Sequence, residues 1–394
     1  MPDLDAWLRT AWQSGNLLFA KRLSLNDTGA TRSHQAGFYI SKSLAFQLCP
    51  ELDTQESDNP RHEWQAYIAQ TGESREVSLI YYNSARTGSS AARGRNECRI
   101  TGWGGTRWGN LFGPDSTGAI MMCAFNVANH QVSVWVGSTE AENRLLDETV
   151  GGLGPREEFS LLISTTSLLE TPPKSALVYG APKEWFAVMP SGIQIAEFVS
   201  KFVQANEGES IDDVLMRRVE EEYALFRALE SAIYQPVAQH GFENIDSFLA
   251  SARSMLNSRM SRAGRSLELA MRQALVEAGV AHTWQPDLSE PTTPDFIFPS
   301  AEQYLRSIDG SGITHLASKR TLRDRWRGVL REARKVPVKH LLTLDTNLTV
   351  PQAAEIAEAE VILVVPKSLT SKIPPVPGLK EKCISVADFI AQVR

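Results

Sequence analysis

The pattern of hydrophobic residues changes twice along this chain of 394 residues, and that change constrains the fold more than any other feature. Residues 1–170 contain short apolar or aromatic runs separated by Gly, Asn, Asp and Ser, which is typical of strands joined by turns. Residues 193–280 place apolar side chains at helical spacing, and residues 281–394 alternate strand-like and helix-like segments. The sequence therefore predicts a mainly-β N-terminal domain and an α/β C-terminal domain.

A segment rich in proline and glycine separates the two patterns. Within 21 positions it contains Pro172, Pro173, Gly180, Pro182, Pro190 and Gly192. Proline fixes the backbone angle φ and removes a hydrogen-bond donor, so such a segment favours a hinge over a regular element. We therefore predict domains at residues 1–178 and 196–394, joined by a hinge at residues 179–195.

Local patterns predict the elements of each domain. The N-terminal strands are predicted at Asn16–Ala20, Ala36–Ile40, Val77–Tyr82, Gly118–Phe125, Gln131–Val136 and Phe159–Ser164. The C-terminal strands are predicted at Asp295–Phe298, Ile313–Ser318, Val338–Leu344 and Val361–Val365. Helices are predicted from about Ser210 to Tyr234, at Asn244–Met255 and Arg265–Ala278, and at residues 321–335, 351–359 and 386–393. Strands that alternate with helices in this way indicate a mixed or parallel sheet covered by helices.

Composition and charge limit the class of partner. The hydrophobic share of 42% and the charged share of 22% are ordinary for a globular protein. The formal net charge of −6 argues against a uniformly basic nucleic-acid-binding protein. Positive charge is nevertheless clustered locally, and phosphates are contacted by local patches.

The cysteines and the first residues indicate the compartment. Cys49, Cys98, Cys123 and Cys383 are scattered without a CxxC pair, which predicts reduced thiols and neither a disulfide framework nor a zinc site. The first twelve residues, MPDLDAWLRTAW, lack the apolar segment of a signal peptide. No run approaches the roughly 18 apolar residues of a membrane span. We therefore expect a cytoplasmic protein without a membrane partner.

The stretch Ala317–Lys335 carries the strongest chemical signal. A strand-like run ends there, and a basic segment follows that contains Arg323, Arg325, Arg327, Arg331, Arg334 and Lys335. Lys319 lies at the end of this strand, and Glu332 follows in the basic segment. Asp295 lies at the start of the preceding predicted strand. Two carboxylates that hold Mg²⁺ and a lysine that orients water suit phosphodiester hydrolysis. Spacing alone leaves a second interpretation open, in which these are solvated surface charges.

Long runs of sequence resemble the EcoRII family of restriction endonucleases, of the PD-(D/E)xK nuclease class. In the C-terminal half the matching runs are Ser258–Glu268, Pro294–Ser300 with Tyr304, and Lys319–Leu330. In the N-terminal half they are residues 21–24, Asn26–Thr31, His34-Gln35, residues 81–84, Arg95-Asn96-Glu97 and Arg99-Ile100-Thr101. The resemblance covers nearly the whole chain in the same order. It implies an N-terminal β pseudobarrel that binds DNA and a C-terminal α/β restriction-endonuclease-like domain.

The resemblance also implies roles for individual residues of the catalytic domain. The catalytic set would be Asp295, Lys319, Tyr304, Glu332 and Glu268, with Mg²⁺ held by Asp295 and Glu332. The triplet Arg323-Asp324-Arg325 would read bases, since arginine pairs with guanine and aspartate accepts from cytosine. Arg262 and Arg265 would contact phosphates, which position DNA without specifying its sequence. The family relative has lysine where this chain has Arg323, so target or affinity could differ slightly.

The resemblance assigns the N-terminal domain to a second copy of the DNA site. Its DNA-binding residues would be His34, Tyr39, Arg93, Arg95, Glu97 and Arg99. Cys98 stands where the relative has a lysine, which removes one positive charge. The implied protein is a homodimeric type II restriction endonuclease that cuts both strands at a CCWGG-like site, beside a companion cytosine methyltransferase. Two other hypotheses stay open, a DNA-binding regulator with an inactive nuclease domain and a repair or nicking nuclease.

Overall fold

A computed structural model describes residues 3–12, 16–30, 37–54, 57–84, 94–103, 111–154, 158–162, 176–240, 245–323 and 325–394. The chain divides into two compact units, Met1–Glu170 and Thr171–Arg394. The division falls in a segment outside the described residues, so the predicted limits of the hinge remain predictions.

The N-terminal unit is built on one sheet. Its described strands are β1 (Asn16–Arg22), β2 (Phe38–Ile40), β3 (Arg61–Ile68), β4 (Glu73–Tyr82), β5 (Glu97–Thr101), β6 (Ile120–Asn126), β7 (Gln131–Val136) and β8 (Glu158–Leu162). Their order is β2-β5-β4-β3-β7-β6-β1-β8. β3 and β7 are parallel, whereas the other pairings of described strands are antiparallel. This mixed, half-closed sheet confirms the predicted pseudobarrel class.

Helices cover both faces of this sheet. α1 (Leu4–Ala11) and α3 (Glu140–Val150) bury one apolar cluster around Trp135. α2 (Lys42–Leu48) and the other face form a second cluster around Trp64. Side chains of β1 and β6 point alternately into the two clusters, which explains why nearly every residue of these strands is buried.

The C-terminal unit places helices against a second sheet. The helices are α4 (Gly192–Phe202), α5 (Ile211–His240), α6 (Ile245–Glu277), α7 (Ala301–Arg306), α8 (Trp326–Val329), α9 (Val350–Glu358), α10 (Lys367–Thr370) and α11 (Val386–Val393). The strands are β9 (Thr283–Trp284), β10 (Phe296–Phe298), β11 (Thr314–Ser318), β12 (Lys339–Leu342), β13 (Ile362–Val364) and β14 (Cys383–Ile384). No helix in the described part of the chain is long and apolar enough to cross a membrane.

The order of the second sheet is β14-β13-β12-β11-β10-β9. β11 to β14 run parallel, and β10 is antiparallel to both of its neighbours. One face packs Leu342 against Met271 and Phe389, and the other packs Leu341 against Trp326 and helix α9. Parallel strands need cover on both faces, so their continuous apolar runs follow from this arrangement. The predicted α/β class is confirmed.

The predicted helix over residues 321–335 is wrong, because only Trp326–Val329 is helical and turns surround it. Polar side chains bind the backbone of these turns. The Asp345 carboxylate accepts a hydrogen bond from the backbone N–H of Leu322 at 2.9 Å. The buried Lys339 ammonium donates to three backbone carbonyls after the helix, at 2.6 to 2.8 Å. Such contacts replace the hydrogen bonds that a longer helix would provide.

The two helices predicted at Asn244–Met255 and Arg265–Ala278 form one helix of 33 residues, Ile245–Glu277. Its middle is held to α5 by a buried ion pair in which Arg259 Nε lies 2.6 Å from Glu230 Oε1. A long amphipathic helix gains most of its stability from such tertiary packing. The polar residues between the two predicted helices therefore do not interrupt it.

His340 should make the folded chain sensitive to acid. The pKa of His340 is lowered to about 4, mainly by burial. The hydrogen bond from its Nδ1 to the backbone carbonyl of His315 raises the pKa, and the adjacent His315 ring lowers it. The unfolded value is about 6.5, so stability is full above that pH and is lost as pH falls towards 4. We expect this residue to cost about 2 kcal/mol of unfolding free energy between pH 7 and pH 5.

Chemical denaturation of the full chain at both pH values measures this effect, with His340→Gln as the control that cannot titrate. The variant should lose less stability over the same pH interval than the parent chain. An equal loss in both proteins would show that His340 is not responsible.

Candidate active site

Asp295 and Lys319 lie at neighbouring ends of a paired β10 and β11. Phe296 stands opposite Leu316 in this antiparallel pair. Asp295, the residue before β10, therefore lies beside the C-terminal end of β11. The Asp295 carboxylate accepts hydrogen bonds from the backbone N–H of Ser318 at 2.6 Å and from Lys319 Nζ at 3.2 Å. The sheet register thus brings the predicted acid and the predicted lysine together.

Glu332 approaches the same ammonium from the turn after α8. Its Oε1 lies 3.3 Å from Lys319 Nζ. Burial, the largest single influence, lowers the pKa of Lys319, but the charges of Asp295 and Glu332 together outweigh it, and the net pKa is raised. Lys319 is therefore a charged ammonium between two carboxylates at neutral pH.

His315 holds the other oxygen of Glu332. It is fully buried within β11, and its Nε2 lies 3.1 Å from Glu332 Oε2. Burial lowers the pKa of His315 more than the adjacent Glu332 raises it, so the neutral ring donates from Nε2. Sequence reasoning missed this residue. Its only signal was a histidine inside an apolar strand, where a buried polar group needs a partner.

Lys339 holds the backbone that carries Glu332. Its ammonium donates to the carbonyl of Glu332 itself at 2.6 Å and to those of Ala333 and Val336. Burial lowers the pKa of Lys339, although Glu290 and Glu332 raise it. This second missed residue lies within β12, and it fixes the turn that directs the Glu332 side chain towards Lys319.

Glu268 lies nearby on α6 and is almost fully buried. Its Oε1 accepts hydrogen bonds from Gln285 Nε2 at 2.8 Å and from the indole nitrogen of Trp284. Burial, followed by the negative charge of Asp295, raises the pKa of Glu268. The electrostatic effect of Asp295 indicates that this third carboxyl group faces the same site.

Tyr304 is not in hydrogen-bond contact with this group of residues. Its ring is 1% exposed, and its hydroxyl donates to Glu290 and accepts from the backbone N–H of Lys335 at 3.3 Å. Burial and the hydrogen bond to Glu290 raise the pKa of Tyr304 to about 12. The structure thus gives the hydroxyl a role in fixing the turn around residue 335.

Three of the arginines predicted to bind DNA are accessible to different degrees. Arg265 is exposed on α6, one turn before Glu268, and Arg325 is exposed at the start of α8. Arg323 is half-buried in the turn before α8. The central member of the predicted triplet, Asp324, lies outside the described residues.

The predicted phosphate contact by Arg262 does not fit its position. Arg262 is 5% exposed, and its guanidinium lies 4.6 Å from the centre of the Tyr223 ring and 3.4 Å from Glu222 Oε2. Ser266 Oγ donates to the same carboxylate at 2.7 Å. Because removal of one partner of a buried ion pair is costly, Arg262 serves to hold α6 against α5.

The N-terminal unit gathers several predicted DNA-binding residues on one sheet face. Tyr39 in β2 stands opposite Arg99 in β5, and Glu97 lies two positions from Arg99 on the same face. Arg99 Nε donates to Glu97 Oε1 at 2.9 Å. The Arg95 guanidinium lies over the Tyr82 ring, 5.3 Å from its centre. Tyr39, Arg95 and Tyr82 form the accessible part of this face, whereas Arg99 is buried.

Two predicted residues of this face, His34 and Arg93, lie outside the described residues. One residue that the prediction did not include supports the face from behind. Lys21 Nζ lies 3.0 Å from Asp27 Oδ2 and donates to the backbone carbonyl of Tyr39 at 3.1 Å. These contacts join the turn at residues 25–29 to the edge strand, so the turn fixes the position of Tyr39.

Comparison with known proteins identifies the family. Residues 226–390 match the family described as "EcoRII C terminal", and residues 13–162 match "Restriction endonuclease EcoRII, N-terminal". The "Type II restriction enzyme EcoRII" of Escherichia coli is 32% identical over 399 residues, which covers 98% of this chain and 96% of that protein. The chain belongs to the EcoRII family of type II restriction endonucleases. As a member of this family, it is a site-specific nuclease.

Two solved structures also resemble this EcoRII-family chain. The restriction endonuclease PspGI in complex with substrate DNA is 16% identical, with a TM-score of 0.42, and the match covers 52% of this chain and 93% of that one. Metal-depleted Ecl18kI with uncleaved, modified DNA is 17% identical, with a TM-score of 0.43, and the match covers 55% of this chain and 81% of that one.

The residues at the site of this EcoRII-family chain fit the divalent cation that such nucleases use. Asp295 and Glu332 both place carboxylate oxygens on the Lys319 ammonium, so their oxygens share one small space. Glu268 adds a third carboxyl group, whose pKa is raised by burial and then by the negative charge of Asp295. Hard divalent cations favour such oxygen donors, and bound positive charge would relieve the repulsion among the acids.

Proposed function

We propose that this protein is a restriction endonuclease that makes Mg²⁺-dependent double-strand cuts at a short, C·G-rich, CCWGG-like sequence and leaves 5′-phosphate ends. The observation that carries this proposal is the meeting of Asp295, Lys319 and Glu332, which lie on three separate segments of the chain. Membership of the EcoRII family supports the nuclease class. We propose Mg²⁺ because the acidic residues at the site offer carboxylate oxygens, and Mg²⁺ prefers oxygen ligands.

Each of the three residues has a distinct task in phosphodiester hydrolysis. The ammonium of Lys319 stabilises negative charge that develops on the phosphorane oxygens and orients the attacking water. Asp295 and Glu332 hold that ammonium in place, and their carboxylates would bind Mg²⁺. When bound, Mg²⁺ supplies positive charge at the scissile phosphate and lowers the pKa of the attacking water. Glu268 shapes the field around Asp295.

The proposed base-reading element is the triplet at residues 323–325. Arginine donates two hydrogen bonds to guanine, and aspartate accepts from the amino group of cytosine, so the triplet favours C·G pairs. Arg325 is exposed directly beyond the strand end that carries Lys319. Because residues 323–325 follow Lys319 closely in the chain, base recognition would be coupled to cleavage. Arg265 is proposed to contact a phosphate.

The N-terminal unit is proposed to bind a second copy of the site. The accessible Tyr39 and the stacked Arg95 and Tyr82 supply groups that bind bases and phosphates. Binding would release a catalytic unit that is otherwise inhibited. A homodimer is proposed because two-fold symmetry matches a pseudo-palindromic duplex. A companion cytosine methyltransferase would protect the host DNA.

Replacing His315 with alanine should weaken cleavage without changing the chemistry of the site. Glu332 would lose the hydrogen bond that fixes its Oε2, and its orientation towards Mg²⁺ would loosen. Removing such an outer partner typically costs about 10- to 100-fold in metal affinity or activity. Titration of cleavage rate against Mg²⁺ should show a higher concentration at half-maximal rate.

Two further variants separate positioning from loss of packing. His315→Gln keeps a side-chain donor and should recover part of the Mg²⁺ dependence. His282→Ala removes a histidine that contacts Phe296 on the same sheet but not Glu332, and it should leave the Mg²⁺ titration unchanged. Identical Mg²⁺ titrations for parent and His315→Ala would show that His315 does not position Glu332.

Digestion of supercoiled plasmids with one or two CCWGG sites tests the proposed function. We expect linear DNA in the presence of Mg²⁺, with faster cleavage of the two-site plasmid. Nicked circles as the final product would favour a nicking or repair nuclease. Site-specific binding without any cut would favour a regulator with an inactive nuclease domain, although such a domain has no reason to retain Asp295, Lys319 and Glu332 in contact.

A further inference from the structure

Three potential metal ligands converge in the N-terminal unit. Cys49 ends helix α2, Glu51 lies in the 3-10 turn Pro50–Leu52 that follows, and His62 lies in β3. The sulfur, one carboxylate oxygen and one ring nitrogen all lie within 4.8 Å of one another. No other group of three such residues is this close among the residues that the structure describes.

Aromatic side chains with nitrogen atoms enclose this cluster. The His130 ring, from the turn between β6 and β7, lies 4.2 Å from the His62 ring, measured between centres. The Trp64 ring lies 5.3 Å from His130 and 6.4 Å from His62. Trp64 Nε1 is buried and has no hydrogen-bond partner at normal distance in the structure. A buried N–H without a partner is costly, so the absence of an acceptor is informative.

The sulfur of Cys49 and the indole N–H of Trp64 interact without a hydrogen bond of normal geometry. Burial is the main influence that raises the pKa of Cys49 to about 11, and Glu51 raises it further, whereas the indole N–H of Trp64 lowers it. Without a cation, Cys49 is therefore a protonated thiol beside a donor that would stabilise its anionic form.

We propose that Cys49, Glu51 and His62 bind a Zn²⁺-like transition-metal ion, with the neighbouring His130 as the fourth ligand. One sulfur, two ring nitrogens and one carboxylate oxygen are the donor types that Zn²⁺ accepts in tetrahedral sites. Bonds of 2.0–2.3 Å would place the ligand atoms roughly 3.5 Å apart, so a contraction of about 1 Å closes the site. Mg²⁺ is not suited to a thiolate ligand.

The coordination step is balanced by release of one proton. The S–H bond of Cys49 breaks as the bond from sulfur to the metal forms, and the proton passes to solvent. Carboxylate and imidazole ligands bind the metal through lone pairs, so the thiol supplies the released proton. No oxidation accompanies the step.

The bound ion would act on structure and not on catalysis. It would join the end of α2 to β3 and, through His130, to the turn between β6 and β7. Strand β2, which carries Tyr39, leads directly into α2. A rigid α2 would therefore stabilise the DNA-binding face of the N-terminal unit. The ligands are distributed over three segments, which explains why cysteine spacing predicted no zinc site.

Titration of the metal-free full chain with Co²⁺ tests the site. Binding to Cys49 should produce a charge-transfer band from sulfur to cobalt and the visible bands of tetrahedral Co²⁺, and Zn²⁺ should remove both. Co²⁺ at the oxygen ligands of the nuclease site cannot give the sulfur band. Zn²⁺ should also raise the thermal unfolding temperature, because it binds the folded state only.

Three variants make the test specific. Cys49→Ala should eliminate the sulfur band, and His62→Gln, a change at a half-buried position that should preserve the fold, should weaken Zn²⁺ binding at least about 10- to 100-fold. Cys383→Ala is the matched control, since burial raises the pKa of that thiol also to about 11 and it belongs to no such cluster. A sulfur band that is absent from the parent chain, or that persists in Cys49→Ala, would overturn the proposal.

Discussion

Replacing Lys319 with alanine should abolish double-strand cleavage while site-specific binding persists. The substitution removes the ammonium that contacts the carboxylates of both Asp295 and Glu332. Loss of one preorganised group that stabilises developing charge typically lowers a catalytic rate by about 10²–10³-fold. Binding should survive because the proposed base contacts come from residues 323–325. Cleavage rate and DNA affinity, the latter in Ca²⁺ or without metal, should be measured in parallel.

Lys372→Ala provides the matched control for this prediction. Lys372 is an exposed lysine of the same unit, far along the chain from the site, and its removal should change neither cleavage nor affinity. Cleavage by Lys319→Ala at the parent rate would remove Lys319 from the catalytic group. Loss of both cleavage and binding would indicate a structural role instead.

Removal of residues 1–180 should leave a folded nuclease that cuts DNA with a single site. The C-terminal unit has its own sheet and its own buried clusters, so its stability does not depend on the N-terminal core. If the N-terminal unit inhibits cleavage until it binds a second site, its removal should raise the single-site rate about ten- to hundredfold, the usual range for coupling between sites. Cleavage of one-site and two-site plasmids measures the effect.

A point variant of the full chain serves as a control, because we expect it to slow cleavage where the truncation should speed it. Arg95→Ala removes an exposed guanidinium that stacks on Tyr82, and it should weaken binding of the second site without releasing the inhibition. The full chain with this change should therefore cut two-site plasmids more slowly than the parent. If the truncated protein needs a second site as much as the full chain does, autoinhibition is the wrong explanation.

The positions of Asp295 and Lys319 could be predicted because both adjoin recognisable apolar strands. Such strands must be buried, and adjacent strands tend to pair, so residues at their ends meet. The chemistry of the two side chains then identified the site. Glu332 was included because it follows Lys319 in the basic segment, but the helix on which it was placed was wrong.

The supporting residues could not be predicted, because their roles depend on contacts between distant segments. His315 and Lys339 appear in the sequence as isolated polar residues within strands, and only the fold shows that both act on Glu332. Arg262 is the reverse case. Its place in the sequence suggested a contact with DNA, whereas in the structure its guanidinium is buried against Glu222. Burial of charge is a tertiary property that local patterns do not record.

Two strands of the N-terminal unit were also missed for a physical reason. β3, Arg61–Ile68, begins with three polar residues and then alternates exposed with buried residues, and β5, Glu97–Thr101, contains two charged residues. Prediction from apolar runs finds strands that are buried on both faces, such as β6. The missed strand β5 carries the candidate DNA-binding residues Glu97 and Arg99, and their charge is what weakened its strand signal.

The most direct test of the central claim is to sequence all DNA ends produced from a random-sequence library. With Mg²⁺, the ends should cluster at one CCWGG-like sequence, with both strands cut at fixed positions and 5′-phosphates on the overhangs. Asp295→Asn and Glu332→Gln should each abolish these ends. Ends spread over unrelated sequences, cuts confined to one strand, or unchanged ends from both variants would contradict the proposed site and its function.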